Sequence, residues 1–241
     1  MTVPQTPADL NAALETLKTV STGTLTTQLL ARGMPSTFIA GVHPLNPGAG
    51  RFAGLAYTLR LIPMREDKLS TASVKSPAYP QRRAIEDCPE GGVLVIDARG
   101  LRGTGTLGDI LVTRLQARGG GAIVTDGDMR DTVAMRALDF PVFCAGAAAR
   151  NSHIHHYASE VQVPIACGGA AVFPGDVLVG DEDGVVVFPV ELASELAHGG
   201  TEQELLETFI QERIAGGAPV AGTYPPDDET RAAFETWRRR P

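Results

Sequence analysis

The chain has 241 residues, of which 43% are hydrophobic and 20% charged, and this balance suits one globular domain with additions. Its net charge of −7 and its scattered basic residues argue against nucleic-acid binding. The sequence lacks the roughly 18–20-residue apolar run of a membrane span and has no signal peptide, so we expect a cytoplasmic protein without membrane contact. Three widely spaced cysteines, Cys88, Cys144 and Cys167, predict buried free thiols.

The first part of the chain predicts two helices followed by a change to strand-forming residues. Apolar spacing predicts a helix over residues 9–19 with Asp9 as its cap, and a second helix over residues 25–32 that ends at Gly33. Residues 52–62 are rich in β-formers and predict a strand.

Residues 63–89 hold four prolines, many charges and few apolar positions. This composition predicts a long excursion over the surface, and long loops of compact domains are often functional. Within it, the charged run at residues 65–68 is more typical of a solvated surface than of a lid over a pocket.

A strand–helix–strand unit follows. The apolar run at residues 93–96 predicts a buried strand, residues 99–108 form a glycine-rich loop, residues 109–118 predict a helix, and residues 122–125 predict the next strand. Strands joined in this way are parallel. The loop lacks the lysine of a phosphate-binding P-loop, so we do not expect nucleotide binding.

Short strands separated by turn residues are predicted near residues 142–144, 164–167, 177–179 and 185–188. Short strands at this spacing favour an α/β fold with a compact mixed sheet over a doubly wound Rossmann sheet.

The C-terminal part predicts two appended helices. Thr201 and Glu204 have the spacing of a capping box, and Asp227 is placed to cap a last helix. We divide the chain into a domain over residues 1–200 and a helical extension over residues 201–241, which we expect to pack on the domain or on a neighbouring subunit. The apolar residues of the two helices are Leu205, Leu206, Phe209, Ile210, Ile214, Phe234 and Trp237.

The candidate site lies at one edge of the strand–helix–strand unit. Asp109 begins the predicted helix, and the loop after the second strand brings Arg130 and Asp131 to the same edge. The amides near Ile110 and Leu111 and the guanidinium of Arg130 suit a small carboxylate. The carboxylates of Asp109 and Asp131 would repel an anion bound beside them unless a divalent cation lay between them. Oxygen ligands of this kind favour Mg²⁺ or Mn²⁺. The alternative is that Asp109 only caps its helix and the Arg130–Asp131 pair is solvated.

These residues carry a resemblance to a known family. Asp109, twenty intervening residues and the Arg130-Asp131 pair match the D-X20-R-D signature of the class II 4-hydroxy-4-methyl-2-oxoglutarate/4-carboxy-4-hydroxy-2-oxoadipate aldolases. Segments at residues 107–109, 124–131 and 174–186 resemble the wider RraA-like family. The resemblance spans roughly residues 15–200.

The resemblance implies a small swivelling β/β/α-type domain, assembled as a homotrimer or as a hexamer of two trimers with active sites at subunit boundaries. It also implies a lyase that cleaves a 4-hydroxy-2-oxo acid to release pyruvate and that decarboxylates oxaloacetate as a side activity. The family includes an inhibitor of a ribonuclease, so a non-catalytic regulator that acts through protein contacts is the alternative.

The resemblance also implies a role for each site residue. Arg130 would bind the carboxylate of the 2-oxo acid, Asp131 would hold the metal, and Asp109 would support a metal-bound water. The backbone at Gly108, Ile110 and Leu111 would hold the pyruvyl group. A further carboxylate would come from a neighbouring subunit, and the candidates are Glu202, Glu204, Glu207 and Glu212.

A cluster of three histidines, His153, His155 and His156, lies between the strands predicted near residues 142–144 and 164–167. Histidines at positions i and i+2 of a strand share a face and could bind a metal. No carboxylate partner is fixed nearby, so a structural or interface role is the preferred interpretation.

Overall fold

The structure is a computed structural model that describes residues 7–68, 70 and 74–239. Its helices are α1 (Pro7–Leu17), α2 (Thr22–Ala31), α3 (Pro80–Glu86), α4 (Asp109–Ala117), α5 (Thr132–Arg136), α6 (Ala193–Ala215), α7 (Val220–Thr223) and α8 (Asp228–Trp237). Its strands are β1 (Phe38–Ile39), β2 (His43–Pro44), β3 (Phe52–Pro63), β4 (Val93–Asp97), β5 (Ala122–Thr125), β6 (Asp128–Met129), β7 (Val142–Cys144), β8 (Gly146–Ala147), β9 (His156–Val161), β10 (Ile165–Cys167), β11 (Ala170–Val172), β12 (Val177–Asp181) and β13 (Gly184–Phe188).

A mixed sheet organises the described residues. Its strand order is β1-β13-β12-β3-β4-β5-β7-β2, and β9 pairs with β3. The strands β3, β4, β5 and β7 are parallel, whereas β12, β13, β1, β2 and β9 pair antiparallel with their neighbours. The predicted α/β fold with a mixed sheet and C-terminal helices is confirmed, and so is the parallel pairing of β4 with β5.

Both faces of the central strands are covered, which explains why β4 is apolar along its whole length. Leu94 and Ile96 pack into a core that includes residues of α3 and α4. Val93 and Val95 point into a second core with residues of the β10–β11 hairpin and β13. A third core joins α1, α2 and the start of α6 to β12 and β13.

Two predicted helix starts near the N-terminus are wrong by a few residues. The helix α1 begins at Pro7, and Asp9 lies in its first turn and not at a cap position. The helix α2 begins at Thr22, because the hydroxyl of Ser21 accepts a hydrogen bond from the amide of Thr24 and caps the helix three residues before the predicted start.

The predicted helix start at Thr201 is also wrong, because α6 runs unbroken from Ala193 to Ala215 and spans residues 200 and 201. The hydroxyl of Thr201 donates to the carbonyl of Ala197, one turn earlier. The carboxylate of Glu204 accepts from the amide of Ser21, so this residue supports the start of α2 and not its own helix. At the last helix the prediction is confirmed, since Asp227 accepts from the amide of Thr230.

The segment 63–89 is only partly the surface excursion that was predicted. Helix α3 buries Ala84 and Ile85 in the core beside β4, because a short amphipathic helix needs few apolar residues to dock. The charged run is solvated as expected, and Arg65 pairs with Asp67 on an exposed turn.

The three cysteines are buried free thiols, as predicted. Burial raises the pKa of Cys88 and of Cys144 to about 11, so both stay protonated near neutral pH. Within the described ranges, no helix is long and apolar enough to cross a membrane.

Candidate active site

A cavity of about 340 Å³ lies where the glycine-rich loop meets the loop after β5. A volume of this size suits a small organic acid. The structure brings the predicted site residues together there, because Gly108, Asp109, Ile110, Leu111, Arg130 and Asp131 all line the cavity. The rest of its wall comes from residues 81–82, 106–107 and 151–153.

Arg130 and Asp131 form an ion pair on the cavity wall. The Nε atom of Arg130 donates to the Oδ2 atom of Asp131 over 3.0 Å, and the two side chains are 35% and 41% exposed. The amide of Arg130 donates to the carbonyl of Leu107, which ties the pair to the glycine-rich loop. Asp131 has left-handed backbone geometry, with a φ of 61°. Residues other than glycine adopt this backbone conformation uncommonly, and such residues are concentrated at functional sites.

Gly108 leaves the room that the Arg130–Asp131 pair needs. A Cβ atom at Gly108 would lie 2.8 Å from the Oδ2 atom of Asp131, and one at Gly105 would lie 2.8 Å from the Cβ atom of Arg130. The glycines of the loop therefore allow close approach of the backbone to the charged pair.

Asp109 lies in the first turn of α4, whose N-cap is Gly108. The Oδ1 atom of Asp109 accepts from the amide of Ile110 over 2.8 Å, and the amide of Leu111 donates to the carbonyl of Gly108 over 3.2 Å. The two amides predicted to hold substrate thus have acceptors within the chain. A substrate anion that binds Ile110 has to displace the carboxylate of Asp109 from that amide.

A buried carboxylate that sequence reasoning missed holds the glycine-rich loop in place. Asp128 is 2% exposed, and it accepts from the Nε atom of Arg102 over 2.7 Å and from the amide of Gly103 over 2.6 Å. The carbonyl of Asp128 accepts from the amide of Thr106. Since Arg130 follows two residues later, this clamp fixes the loop relative to the ion pair.

The second half of the cavity wall was also missed, because it comes from distant parts of the chain. Gln81 is buried in α3 and donates to the carbonyl of Thr106, which attaches α3 to the glycine-rich loop. Arg82 follows it on the wall, together with Ser152 and His153 from the turn before β9. In α3 the cue in the sequence was the position of these polar residues beside a buried apolar residue, Ile85.

The three histidines are separated and do not share a strand face. His153 lies on the cavity wall, His155 contacts the hydroxyl of Thr104 over 2.7 Å, and His156 is 1% exposed beside Arg99. Burial, together with the nearby Arg99 and His155, lowers the pKa of His156 to about 4. The structural interpretation fits His156, whereas His153 reaches the cavity.

The donor set fits a hard divalent cation. Asp109 and Asp131 line one cavity and offer carboxylate oxygens, and Mg²⁺ is typically held by one or two carboxylates while keeping several waters. In the part of the chain that the structure describes, no group of three or more His, Cys, Asp or Glu side chains is arranged to hold a metal. A cation held by these two carboxylates would need waters or substrate as its remaining ligands.

The four glutamates considered as ligands for a neighbouring subunit all have partners within the chain. Glu202 pairs with Arg238, Glu204 accepts from Ser21, Glu207 accepts from Gln203, and Glu212 accepts from Trp237.

Comparison with known proteins agrees with the fold and with the resemblance of the sequence. Residues 22–187 match the model of the RraA-like family, described as Aldolase/RraA. The chain belongs to this family.

Two solved structures share the fold. Streptomyces coelicolor RraAS2, described as an unusual member of the RNase ES inhibitor RraA protein family, has a TM-score of 0.76 and 33% identity, and the match covers 84% of this chain and 98% of that one. An uncharacterized protein from Pseudomonas syringae pv. tomato has a TM-score of 0.75 and 26% identity, with 89% and 97% covered.

A curated relative carries an enzyme name. The protein of Halalkalibacterium halodurans named "Putative 4-hydroxy-4-methyl-2-oxoglutarate aldolase" is 40% identical over 110 residues, which are 44% of this chain and 50% of that protein. The chain thus matches half of that relative's length. The similar proteins thus include one with the name of a putative aldolase and one described as an unusual member of an RNase ES inhibitor family.

Proposed function

We propose that the chain is a divalent-metal-dependent lyase that cleaves a 4-hydroxy-2-oxo acid by a retro-aldol reaction and releases pyruvate. The observation that carries the proposal is the Arg130–Asp131 pair, held against Gly108 on the wall of a small cavity that Asp109 also lines. This arrangement supplies the guanidinium of Arg130 for the carboxylate of the substrate, and the carboxylates of Asp109 and Asp131 for a metal.

The reaction breaks the bond between C3 and C4 of the substrate. Arg130 would leave Asp131 and bind the 2-oxo acid carboxylate, where its charge also stabilises the enolate that develops at C2 and C3. Asp109 would orient a water that accepts the proton of the C4 hydroxyl as the carbonyl product forms. Protonation of the enolate at C3 then gives pyruvate, and loss of carbon dioxide from oxaloacetate passes through the same enolate.

Asp131 would hold the cation directly and Asp109 through water. A bound Mg²⁺ or Mn²⁺ would supply Lewis-acid polarisation of the 2-oxo group. The position of Asp131 suits this role, since its Oδ2 atom lies at the cavity wall, 2.8 Å from where a Cβ atom of residue 108 would be. When the substrate takes Arg130, the carboxylate of Asp131 is left for the metal.

The proposal includes a homotrimer or a hexamer of two trimers in the cytoplasm, with the cavity at a subunit boundary. Ile110, on the cavity rim, is 78% exposed and Val133, two residues after Asp131, is 81% exposed. Large apolar side chains are rarely left this exposed near a charged pair. Their exposure therefore favours a second subunit that covers Ile110 and Val133.

The test is release of pyruvate from 4-hydroxy-4-methyl-2-oxoglutarate and from oxaloacetate, measured with Mg²⁺, with Mn²⁺ and after chelation. We expect turnover that chelation removes and either metal restores. Absence of turnover on every 2-oxo acid tested, together with absence of Mn²⁺ binding, would overturn the proposal.

The second candidate is a non-catalytic regulator, and the likeness to RraAS2 favours it. Asp109 argues for the enzyme, because inhibition through protein contacts has no need of a second carboxylate beside Arg130. A regulator would inhibit a ribonuclease equally well with and without Asp109 and Asp131, whereas a lyase would lose its turnover in either variant.

A further inference from the structure

The cavity contains a second cation besides Arg130. Arg82 lies in α3, is exposed, and lines the same cavity as Asp109 and Arg130. Its Nε atom donates to the carbonyl of Val74 over 2.7 Å, which fixes the guanidinium while leaving its terminal nitrogens for another partner.

Within residues 7–68, 70 and 74–239, Arg82 is in no ion pair with a carboxylate, although many arginines of the chain are paired. Arg83, the next residue of α3, pairs with Asp87 over 3.0 Å, and Arg114 pairs with Glu86. An arginine that is fixed by a backbone contact, faces a cavity and lacks an internal anion is suited to bind an external one.

The neighbours of Arg82 extend the polar wall. Ser152 is 8% exposed, and the imidazole of His153 packs against the ring of Tyr79 at 5.9 Å between centroids. Burial, together with the nearby Arg82, lowers the pKa of His153, so its ring is neutral near neutral pH and Arg82 supplies the positive charge on this part of the wall. Its Nδ1 atom is buried and has no hydrogen-bond partner within the described residues, so the ring holds an unsatisfied polar atom beside the cavity.

We propose that Arg82, with Ser152 and His153 beside it, binds an anionic group at the end of the substrate remote from the 2-oxo acid, and so determines specificity for acidic tails. The inference rests on the proposed function, in which Arg130 takes the 2-oxo acid end. A substrate with a carboxylate at each end would then span the cavity from Arg130 to Arg82.

The charges of the cavity agree with this assignment. Asp109 and Asp131 carry two negative charges, which a divalent cation held by these residues would cancel. Arg82 and Arg130 then remain as two positive charges, which a dianion neutralises and a monoanion does not.

The kinetic test compares two substrates and three variants. Pyruvate release is measured for 4-hydroxy-4-methyl-2-oxoglutarate, which has an acidic tail, and for 4-hydroxy-2-oxopentanoate, which has a neutral one. We expect Arg82→Met to raise KM for the acidic substrate by about 10- to 100-fold, the scale for a charge-assisted hydrogen bond, and to leave the neutral substrate unchanged. Arg82→Lys should retain most of the preference, and Arg83→Met on the same helix should behave as the unmodified protein.

A binding test keeps this inference separate from the proposed function. Calorimetry with Mn²⁺ compares 2-oxoglutarate with 2-oxopentanoate, which has the same chain length and no second carboxylate. Preference for 2-oxoglutarate that Arg82→Met removes supports the role of Arg82, even if no substrate is cleaved. Equal affinities in the unmodified protein, or equal losses for both acids in Arg82→Met, would overturn the inference while leaving pyruvate release to decide the reaction.

Discussion

The glycine-rich loop and the C-terminal helices are stabilised in different ways. The loop is held by polar contacts to buried groups, chiefly Asp128 and Gln81. The C-terminal pair, α6 and α8, is held by a small aromatic cluster of Phe209, Phe234 and Trp237.

The difference shows where the chain requires geometric accuracy. Polar contacts are directional, so they fix side-chain positions within tight limits, whereas apolar packing tolerates small shifts at similar stability. We therefore expect substitutions around the loop to change chemistry, and substitutions in the C-terminal cluster to change local stability alone.

The largest effect is expected for Arg130→Ala. Loss of the cation that stabilises the enolate removes about 2–3 kcal/mol of transition-state stabilisation, or roughly 100-fold in kcat/KM. Steady-state kinetics of pyruvate release measure this loss. Arg136→Ala, at the end of the following helix α5, serves as the control. Unchanged kinetics in Arg130→Ala would place the site elsewhere.

Asp128→Ala is expected to lower the free energy of unfolding by about 2 kcal/mol, because it removes the acceptor of the Gly103 amide and of the Arg102 guanidinium. Urea unfolding measures the change. The matched variant Asp128→Asn keeps one acceptor oxygen and should lose less. A stability loss below 0.5 kcal/mol, roughly that of a surface change, would show that the clamp is dispensable.

Acidification is expected to destabilise the fold through His156. Its pKa is lowered to about 4 in the folded state from an ordinary value of 6.5, so the unfolded chain binds more protons between these values and stability falls as the pH drops through this window. The loss between pH 7 and pH 5 is about 2 kcal/mol. In His156→Gln, the free energy of unfolding measured in urea should fall by about 2 kcal/mol less between pH 7 and pH 5 than in the unmodified protein. An identical pH dependence in both proteins would contradict the assignment.

Gly108→Ala is expected to weaken Mn²⁺ binding and pyruvate release about tenfold, because the added methyl group would lie 2.8 Å from the carboxylate of Asp131. Gly48→Ala is the matched control, since a Cβ atom there has nothing within 4 Å. Equal activity of the two variants would mean that the close approach at Gly108 has no role.

The smallest effect on chemistry is expected for Phe234→Ala. Removal of this ring opens the cluster between α6 and α8, so amide exchange should accelerate in α8 while kcat/KM stays within about twofold. A large loss of activity would break the contrast between the two regions and connect the C-terminal helices to the site.

The central sheet was predictable because its signals are local. Continuous apolar runs at β4 and β5 identify buried strands, and the glycines between them identify the loop. The strand–helix–strand topology then predicted that Asp109 and Arg130 lie at one edge of the sheet, and in the structure both line one cavity.

What escaped prediction depends on contacts between distant segments. The capping-box spacing of Thr201 and Glu204 suggested that a helix starts there, but Gly200 lies inside α6, where a Cβ atom would be 2.6 Å from Val20. The glycine is needed for close packing and does not end the helix. Arg82 and His153 likewise reach the cavity only through the docking of α3 and of the turn before β9.

The most direct test of the central claim is deuterium exchange into the methyl group of pyruvate in D₂O, measured by NMR. Mg²⁺ is the metal used, because it is diamagnetic and does not broaden the signals as Mn²⁺ does. Protonation of the enolate at C3 is reversible, so a site that releases pyruvate must also exchange its methyl protons, whatever the natural substrate is. The account predicts Mg²⁺-dependent exchange that Arg130→Ala abolishes. Exchange no faster than in buffer, in protein shown to bind both Mg²⁺ and pyruvate, would contradict it.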